Sequence, residues 1–88
     1  MTTDELQNLR KKIDSLDEEL LQTLAKRFQL VQEVRTLKKR AGLPPLDETR
    51  WKTVLLSRQA LAKELGLPVA FTEELLRLIH ERSLEIEG

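Results

Sequence analysis

Residues 5 to 40 read ELQNLRKKIDSLDEELLQTLAKRFQLVQEVRTLKKR, without a glycine or a proline. Strong helix formers fill most of this stretch, which therefore predicts one uninterrupted helix from Glu5 to Arg40. Its apolar residues recur at alternating spacings of three and four, the pattern of an apolar seam along a helix: Leu6, Leu9, Ile13, Leu16, Leu20, Leu30, Val34 and Leu37. The same spacing predicts apolar residues at two further positions, but the sequence has Thr23 and Arg27 there.

Arg27 is the first candidate for a functional residue. A guanidinium on an apolar seam costs several kcal/mol unless an anion or a polar partner meets it. Anion binding is the functional interpretation. The structural alternative is that Arg27 snorkels from the edge of the seam or pairs with a glutamate.

The length of the predicted helix indicates how the chain assembles. About 36 residues at a rise of ~1.5 Å make a rod of roughly 54 Å. A compact monomer of this size has a radius of gyration of only ~12 Å, so the rod would project from its own domain. Because a projecting apolar seam would lie in water, we expect it to pack against a second copy. The sequence therefore predicts a homodimer.

Composition sets bounds on the class of protein. The 88 residues predict a single domain, 1–88, and 40% hydrophobic content with 3% aromatics indicates a helical bundle built from aliphatic side chains. Fifteen basic and fifteen acidic residues cancel, so neither nucleic acid nor membrane is an expected partner. Without cysteine, signal peptide or long apolar run, we expect a cytoplasmic protein.

Start and stop signals bound the first helix. Thr2 and Glu5 have the spacing of a capping box. At the other end, three basic residues precede Ala41, and Gly42 is suited to a left-handed cap. Pro44 and Pro45 then predict an extended linker.

Two shorter helices are predicted after the linker. Asp47 is the expected N-cap of a helix from about Glu48 to Leu65. Gly66 and Pro68 mark the next break, and a third helix is expected from about Val69 to Glu87. The predicted inward positions of the two helices are Trp51, Val54, Leu55, Leu61, Leu65, Phe71, Leu75, Leu76, Leu78, Ile79 and Ile86. The predicted fold class is all-α, with one long and two shorter helices in an intertwined homodimeric bundle.

Polar residues converge on one predicted pocket. On a helix, Arg27 and Lys38 differ by only ~20° in azimuth and lie ~16 Å apart along the axis, so both can reach one small anion. In an antiparallel dimer, Arg10 of the partner subunit would also reach it. The remaining candidates lie on the linker, the second helix and the third helix: Asp47, Arg50, Ser83 and Glu87. Three or four cations among hydrogen-bonding groups suit a small dicarboxylate.

Each candidate has a structural alternative. Lys38 also belongs to a basic last turn that complements the helix dipole, and Ser83 and Glu87 near the C-terminus would by default be solvated. Trp51 is expected in the core and His80 at a surface or half-buried position. With one histidine and no cysteine, no metal site is expected. There is neither a glycine-rich phosphate loop nor a nucleophile beside a base.

The chain resembles the all-helical (AroQ) class of chorismate mutase. The residues that carry the resemblance are LRKKIDSLDEELLQTLAKRFQLVQEVRTLKK from Leu9, LDETRW from Leu46 and IHERSLEIE from Ile79. It extends from about Leu6 to Glu87. The resemblance implies an intertwined homodimer that converts chorismate to prephenate, a step toward phenylalanine and tyrosine, without a cofactor or metal.

The resemblance also implies roles for individual residues. Arg27 and the partner's Arg10 would bind the substrate carboxylates, and Lys38 would hydrogen-bond the ether oxygen and a carboxylate. Asp47 would lie near the substrate hydroxyl, with Arg50 supporting the pocket wall. Ser83 would add a further substrate contact. Lys38, Arg27 and Glu87 would be the catalytic residues.

Two residues depart from the family pattern. A glutamate that usually follows the arginine of the second helix and contacts the substrate hydroxyl is Trp51 here, which leaves Asp47 or Glu48 to make that contact. The residue that donates to the ether oxygen, often glutamine in bacterial members, is Glu87. Because of the first departure, an isochorismate pyruvate lyase on the same scaffold stays an alternative function. A further alternative is a non-catalytic helical module for dimerisation or regulation.

Replacing Arg27 distinguishes its two interpretations. Arg27→Leu restores the apolar seam, so we expect the fold to survive or gain stability. Mutase activity should fall by several kcal/mol of transition-state stabilisation, because a substrate carboxylate loses its partner. Circular dichroism with a chorismate assay measures both effects. Full activity in Arg27→Leu would make the seam arginine a structural residue.

Overall fold

The structure, a computed structural model, describes residues 3–88, so Thr2 of the predicted capping box lies outside the described residues. They form α1 (Thr3–Ala41), α2 (Glu48–Leu65) and α3 (Val69–Glu87), with no strand among them. The predicted all-α class, with one long and two shorter helices, is confirmed. The expected bounds of α2 and α3 match those observed. The single domain predicted over residues 1–88 stays a prediction.

The end of α1 has the predicted cap. Lys38, Lys39 and Arg40 occupy the last turn, where cations complement the helix dipole. Gly42 has a φ of 69°, and the next amide, of Leu43, donates to the carbonyl of Lys38 over 2.8 Å. A glycine suits this left-handed backbone because it has no Cβ to clash there. The chain thereby leaves the helix and enters the linker.

The start and end of α2 also follow the sequence signals. Asp47 is the N-cap, and its Oδ1 accepts a hydrogen bond from the backbone amide of Arg50 over 2.9 Å. At the C-terminal end Gly66 has a φ of 73°, and the amide of Leu67 donates to the carbonyl of Ala62 over 2.8 Å. This backbone pairing satisfies carbonyls that the helix end leaves open.

The described residues divide into two compact units after Leu30. The first unit consists of the α1 residues up to Leu30, and the second contains the rest of α1 with α2 and α3. Within the second unit, α2 packs against α3. The pairs that meet across these helices, Trp51 with His80 and Gln59 with Glu73, show that the two helices are antiparallel.

The core between α2 and α3 is small. Val54 and Ala62 are the buried apolar residues of the described chain, and Ser83 is a buried polar residue. Of the predicted inward positions, Val54 is buried. The half-buried ones are Trp51, Leu55, Leu76, Ile79 and Ile86. The exposed ones are Leu61, Leu65, Phe71, Leu75 and Leu78. Ala62, the most buried of all, was not among them because its small side chain contributes little to an apolar pattern.

The apolar seam of α1 is open to solvent in the single chain. Its residues have exposed fractions from 38% at Leu6 to 63% at Leu20, and no residue of α1 is buried. Fully burying one such side chain stabilises a protein by ~1.5–3 kcal/mol. Within the single chain, the seam therefore gains only a part of this stabilisation. Among residues 3–88, no helix is long and apolar enough to cross a membrane.

Candidate active site

Lys38 lies at the centre of the site in the second unit. Its ammonium nitrogen Nζ donates a hydrogen bond to the carbonyl oxygen of Pro45 over 2.6 Å and lies 2.7 Å from Oε1 of Glu87. Its side chain is only 20% exposed. An ammonium group has three donors, so these two contacts leave capacity for a ligand. The contacts fix the direction in which a flexible lysine presents its charge.

Glu87 lies in the last turn of α3 and is not solvated as the default interpretation of a C-terminal residue expects. Its side chain is 9% exposed, and Oε1 is buried without a hydrogen-bond partner among the described residues, although Lys38 lies within ion-pair distance. We take the short distance as a Coulombic contact whose angles do not suit a hydrogen bond. The ammonium group at this distance offsets part of the cost of burying the carboxylate.

Two cavities adjoin Lys38. One of about 190 Å³ is lined by Arg35, Lys38, Lys39, Leu43, Pro45, Glu87 and Gly88. The other, of about 310 Å³, is lined by Lys38, Leu43, Pro44, Leu46, Asp47 and Glu48. Lys38 and Leu43 belong to both linings. A small polar ligand in either cavity would therefore meet the same ammonium group.

Asp47 and Arg50 are brought together at the first turn of α2. One carboxylate oxygen of Asp47 is used by the helix cap, through the amide of Arg50, and a carboxylate has further lone pairs to offer. Asp47 also lines the larger cavity beside Lys38. The Arg50 side chain is exposed. The cap thus fixes the backbone positions from which the side chains of Asp47 and Arg50 extend.

Ser83 is placed by α3, one turn before Glu87. It is 6% exposed, and its hydroxyl donates to the carbonyl of Ile79 over 2.8 Å. A hydroxyl that donates to the preceding turn keeps lone pairs with which to accept a hydrogen bond. Its spacing of four residues from Glu87 places both on one face of the helix.

Arg10 and Arg27 belong to the first unit. Both lie on α1, where Arg10 is exposed and Arg27 is half-buried. The cluster within the second unit therefore consists of Lys38, Glu87 and the residues around Asp47. The roles of the two arginines, like those of the other predicted site residues, stay predictions.

The sequence interpretation missed two features, one within the site and one beside it. The carbonyl of Pro45 holds Lys38, and a backbone acceptor has no side-chain signal in a sequence. The rings of Trp51 and His80 stack with centroids 3.9 Å apart and planes 7° from parallel. Trp51 was expected in the core and His80 at a surface or half-buried position, but neither expectation paired them. Between Thr3 and Gly88, no group of histidine and acidic side chains is placed to hold a metal ion.

Comparison with known proteins identifies the family. The sequence model of chorismate mutase type II matches residues 9–88, and the chain belongs to this family. Two similar relatives are T-proteins, 43% identical over 84 residues in Enterobacter agglomerans and 39% identical over 83 residues in Haemophilus influenzae. A third is a chorismate mutase from Methanocaldococcus jannaschii, 34% identical over 61 residues. The family predicted from the sequence is confirmed.

The relatives are longer than the chain. The match to each T-protein covers 96% or 94% of this chain but only 22% of the relative. The match to the Methanocaldococcus protein covers 69% of this chain and 62% of the relative.

Glu87→Gln tests the role of the buried carboxylate. If Glu87 donates to the ether oxygen, it does so only when protonated, so activity should fall as rising pH ionises it. Glutamine donates at every pH and forms no ion pair with Lys38. The variant should therefore have a flatter pH profile of kcat and higher activity at neutral pH.

Glu85→Gln is the matched control for this prediction. Glu85 lies on the same turn of α3, pairs with Arg82 and is 64% exposed. Its replacement should leave the pH profile unchanged. If the Glu87→Gln profile also coincides with that of the wild type from acid to neutral pH, the ether-oxygen role of Glu87 must be withdrawn.

Proposed function

We propose that the chain is a chorismate mutase, an isomerase that rearranges chorismate to prephenate in phenylalanine and tyrosine biosynthesis. The observation that carries this proposal is Lys38, a largely buried ammonium group that lines both cavities within a chain of this family. A cytoplasmic location is part of the proposal and rests on the sequence.

The first task of the site is to orient the substrate. The rearrangement has a single substrate and is pericyclic, so neither a nucleophile nor a proton transfer is required. The flexible dicarboxylate must instead be held in its compact reactive conformer, and such orientation can contribute a large part of the rate enhancement. Arg27 and the partner's Arg10 would bind the two carboxylates through paired N–H groups. Asp47 and Ser83 would contact the rest of the molecule.

The second task is to stabilise charge in the transition state. Negative charge builds on the ether oxygen as its bond to carbon breaks, and a cation already held in position stabilises it without reorganisation. The contacts of Lys38 with Pro45 and Glu87 support this role, because they restrict the ammonium before a substrate arrives. Lys38 should affect turnover more than substrate affinity, since its partner charge exists mainly in the transition state.

Substrate binding must also change the environment of Glu87. A chorismate carboxylate beside Lys38 would compete with the Glu87 carboxylate for the same ammonium. Two carboxylates on one cation repel each other. A protonated Glu87 would have a donor for the ether oxygen, which is the role that the family resemblance implies.

The proposal includes a homodimer with two shared sites. The seam of α1 is apolar and at least 38% exposed at every position, and pairing with a second copy would bury it. Each site would then combine Arg27, Lys38, Asp47, Arg50, Ser83 and Glu87 of one subunit with Arg10 of the partner subunit. Chorismate is the proposed small-molecule partner.

The decisive experiment follows chorismate directly. Wild-type protein should convert chorismate to prephenate, and Lys38→Ala should lower kcat about 10²–10³-fold, the usual effect of removing one preorganised donor. Because that variant leaves the Glu87 carboxylate buried without its cation, Lys38→Ala/Glu87→Gln should be compared with it. The double variant should show a loss of the same size. Lys63→Ala, an exposed lysine of α2, is the control and should keep full activity.

The outcomes of this assay separate the alternatives. Salicylate and pyruvate from isochorismate, with no prephenate from chorismate, would establish the lyase. No turnover of either substrate by an intact dimer would establish a non-catalytic module. Wild-type rates in Lys38→Ala would remove Lys38 from the mechanism even if prephenate is formed.

Mixing two inactive variants tests the shared site. Arg10→Ala and Lys38→Ala homodimers should each be inactive, but a heterodimer has one site with both residues intact. Random exchange of equal amounts makes half of the dimers heterodimers, so about a quarter of wild-type activity should return. A stable folded monomer in sedimentation, or no recovery after confirmed exchange, would contradict the model in which Arg10 crosses to the partner.

A further inference from the structure

The stack between Trp51 and His80 lies next to the proposed site without being part of it. The ring centroids are 3.9 Å apart and the planes are 7° from parallel, closer than the usual separation of aromatic pairs. Both side chains are half-buried, and neither lines the cavities beside Lys38. The close contact joins α2 to α3 through two flat, rigid side chains.

The helical positions of the two rings relate the stack to the site residues. On α2, Trp51 follows Arg50 directly and lies one turn after Asp47, whose carboxylate caps the helix. On α3, His80 precedes Ser83 by three residues and Glu87 by seven, so all three share one face. At a rise of ~1.5 Å per residue, the stack is about 5 Å along the axis from Ser83 and about 6 Å from Asp47.

The stack lies toward the end of the helix pair at which the chain does not connect α2 to α3. The short connection at Gly66–Pro68 joins α2 and α3 at one end, and Ala62 and the Gln59–Glu73 hydrogen bond lie toward that end. The start of α2 and the end of α3 form the opposite, unconnected end. Helix ends fray and open locally when few contacts hold them. Trp51 and His80 meet near this open end.

We propose that the Trp51–His80 stack is a positioning contact that holds the turn of Asp47 and Arg50 against the turn of Ser83 and Glu87. Trp51 and His80 act through these residues and do not themselves bind the substrate. The stack does not depend on protonation, because a neutral imidazole stacks through its ring and a protonated one adds a cation–π attraction. For its effect on turnover, the proposal rests on the proposed mutase function.

Hydrogen exchange tests the contact without any assay of activity. In Trp51→Ala and in His80→Ala, the backbone amides of residues 83–87 should exchange about tenfold faster, while those of residues 71–75 keep their wild-type rates. Trp51→Phe and His80→Phe retain a stacking ring and should protect residues 83–87 as the wild type does. Lys52→Ala, an exposed neighbour of Trp51, is the control. Unchanged exchange at residues 83–87 in both alanine variants would overturn the proposal.

The kinetic arm uses the same variants and asks whether the two rings act as one unit. Each alanine variant should lower kcat/KM about tenfold, and Trp51→Ala/His80→Ala should lower it no further, because one contact is lost in all three. Rescue by the phenylalanine variants is expected. If only the Trp51 variants lose activity, Trp51 contacts the substrate directly, and the positioning role is overturned. The positioning role is also overturned if the phenylalanine variants lose as much activity as the alanine variants.

The two arms separate this proposal from the proposed function. If the wild type does not turn over chorismate, the mutase function fails, and the exchange rates alone still decide whether the stack holds the open end. If an alanine variant loses its helical circular dichroism, Trp51→Leu and His80→Leu decide in its place, because they keep an apolar side chain but no stacking ring. Faster exchange at residues 83–87 in these variants would support the proposal, and wild-type exchange would overturn it.

Discussion

The ion contact between Lys38 and Glu87 is the constraint on which the arrangement of the site depends. It joins the last turns of α1 to the last turn of α3 within the second unit, with 2.7 Å between Nζ and Oε1. The same ammonium group donates a hydrogen bond to the carbonyl of Pro45 and thereby also contacts the linker. One lysine thereby connects the end of α1, the linker that follows it and the end of α3. A largely buried ion pair adds little net stability, because desolvation offsets the attraction, so its value here lies in orientation.

Much of the fold was predictable because its signals are local. Gly42 and Gly66 both take left-handed conformations at helix ends, and Asp47 caps α2 as its sequence position indicates. What each apolar residue packs against is not local. Leu65 and Leu78 satisfy the helical pattern yet are exposed, whereas Ala62, on the helix that packs against α3, is buried. Helix bounds follow from neighbours in sequence, and burial follows from neighbours in space.

The site was predictable only in part for the same reason. Lys38 and Glu87 were expected in one pocket, and the structure brings them together. The polar positions of the helices predicted that pocket, and the family resemblance then implied a role for each of the two residues. Predicting the stack of Trp51 on His80 would have required the alignment of α2 along α3. Trp51 lies sixteen residues before Leu67, and His80 lies thirteen residues after it. In a helical hairpin that is symmetric about Leu67, the two residues would therefore be out of alignment by three residues, or about one helical turn. The conformation of the connection sets that offset.

The two departures from the family pattern act on charge in opposite directions. Where the pattern has a glutamate, Trp51 removes one carboxylate from the side of the pocket that would face the substrate hydroxyl. Where bacterial members often have glutamine, Glu87 adds one carboxylate beside Lys38. The number of acidic groups is therefore unchanged, but the charge lies next to the ammonium that would serve the ether oxygen. Because Coulomb energy depends on distance, the relocated carboxylate weakens that ammonium's attraction for a developing anion unless it is protonated. In the proposed mechanism, the arginines and the lysine therefore do not act alone, because the carboxyl group of Glu87 lies 2.7 Å from the ammonium group that would stabilise the transition state.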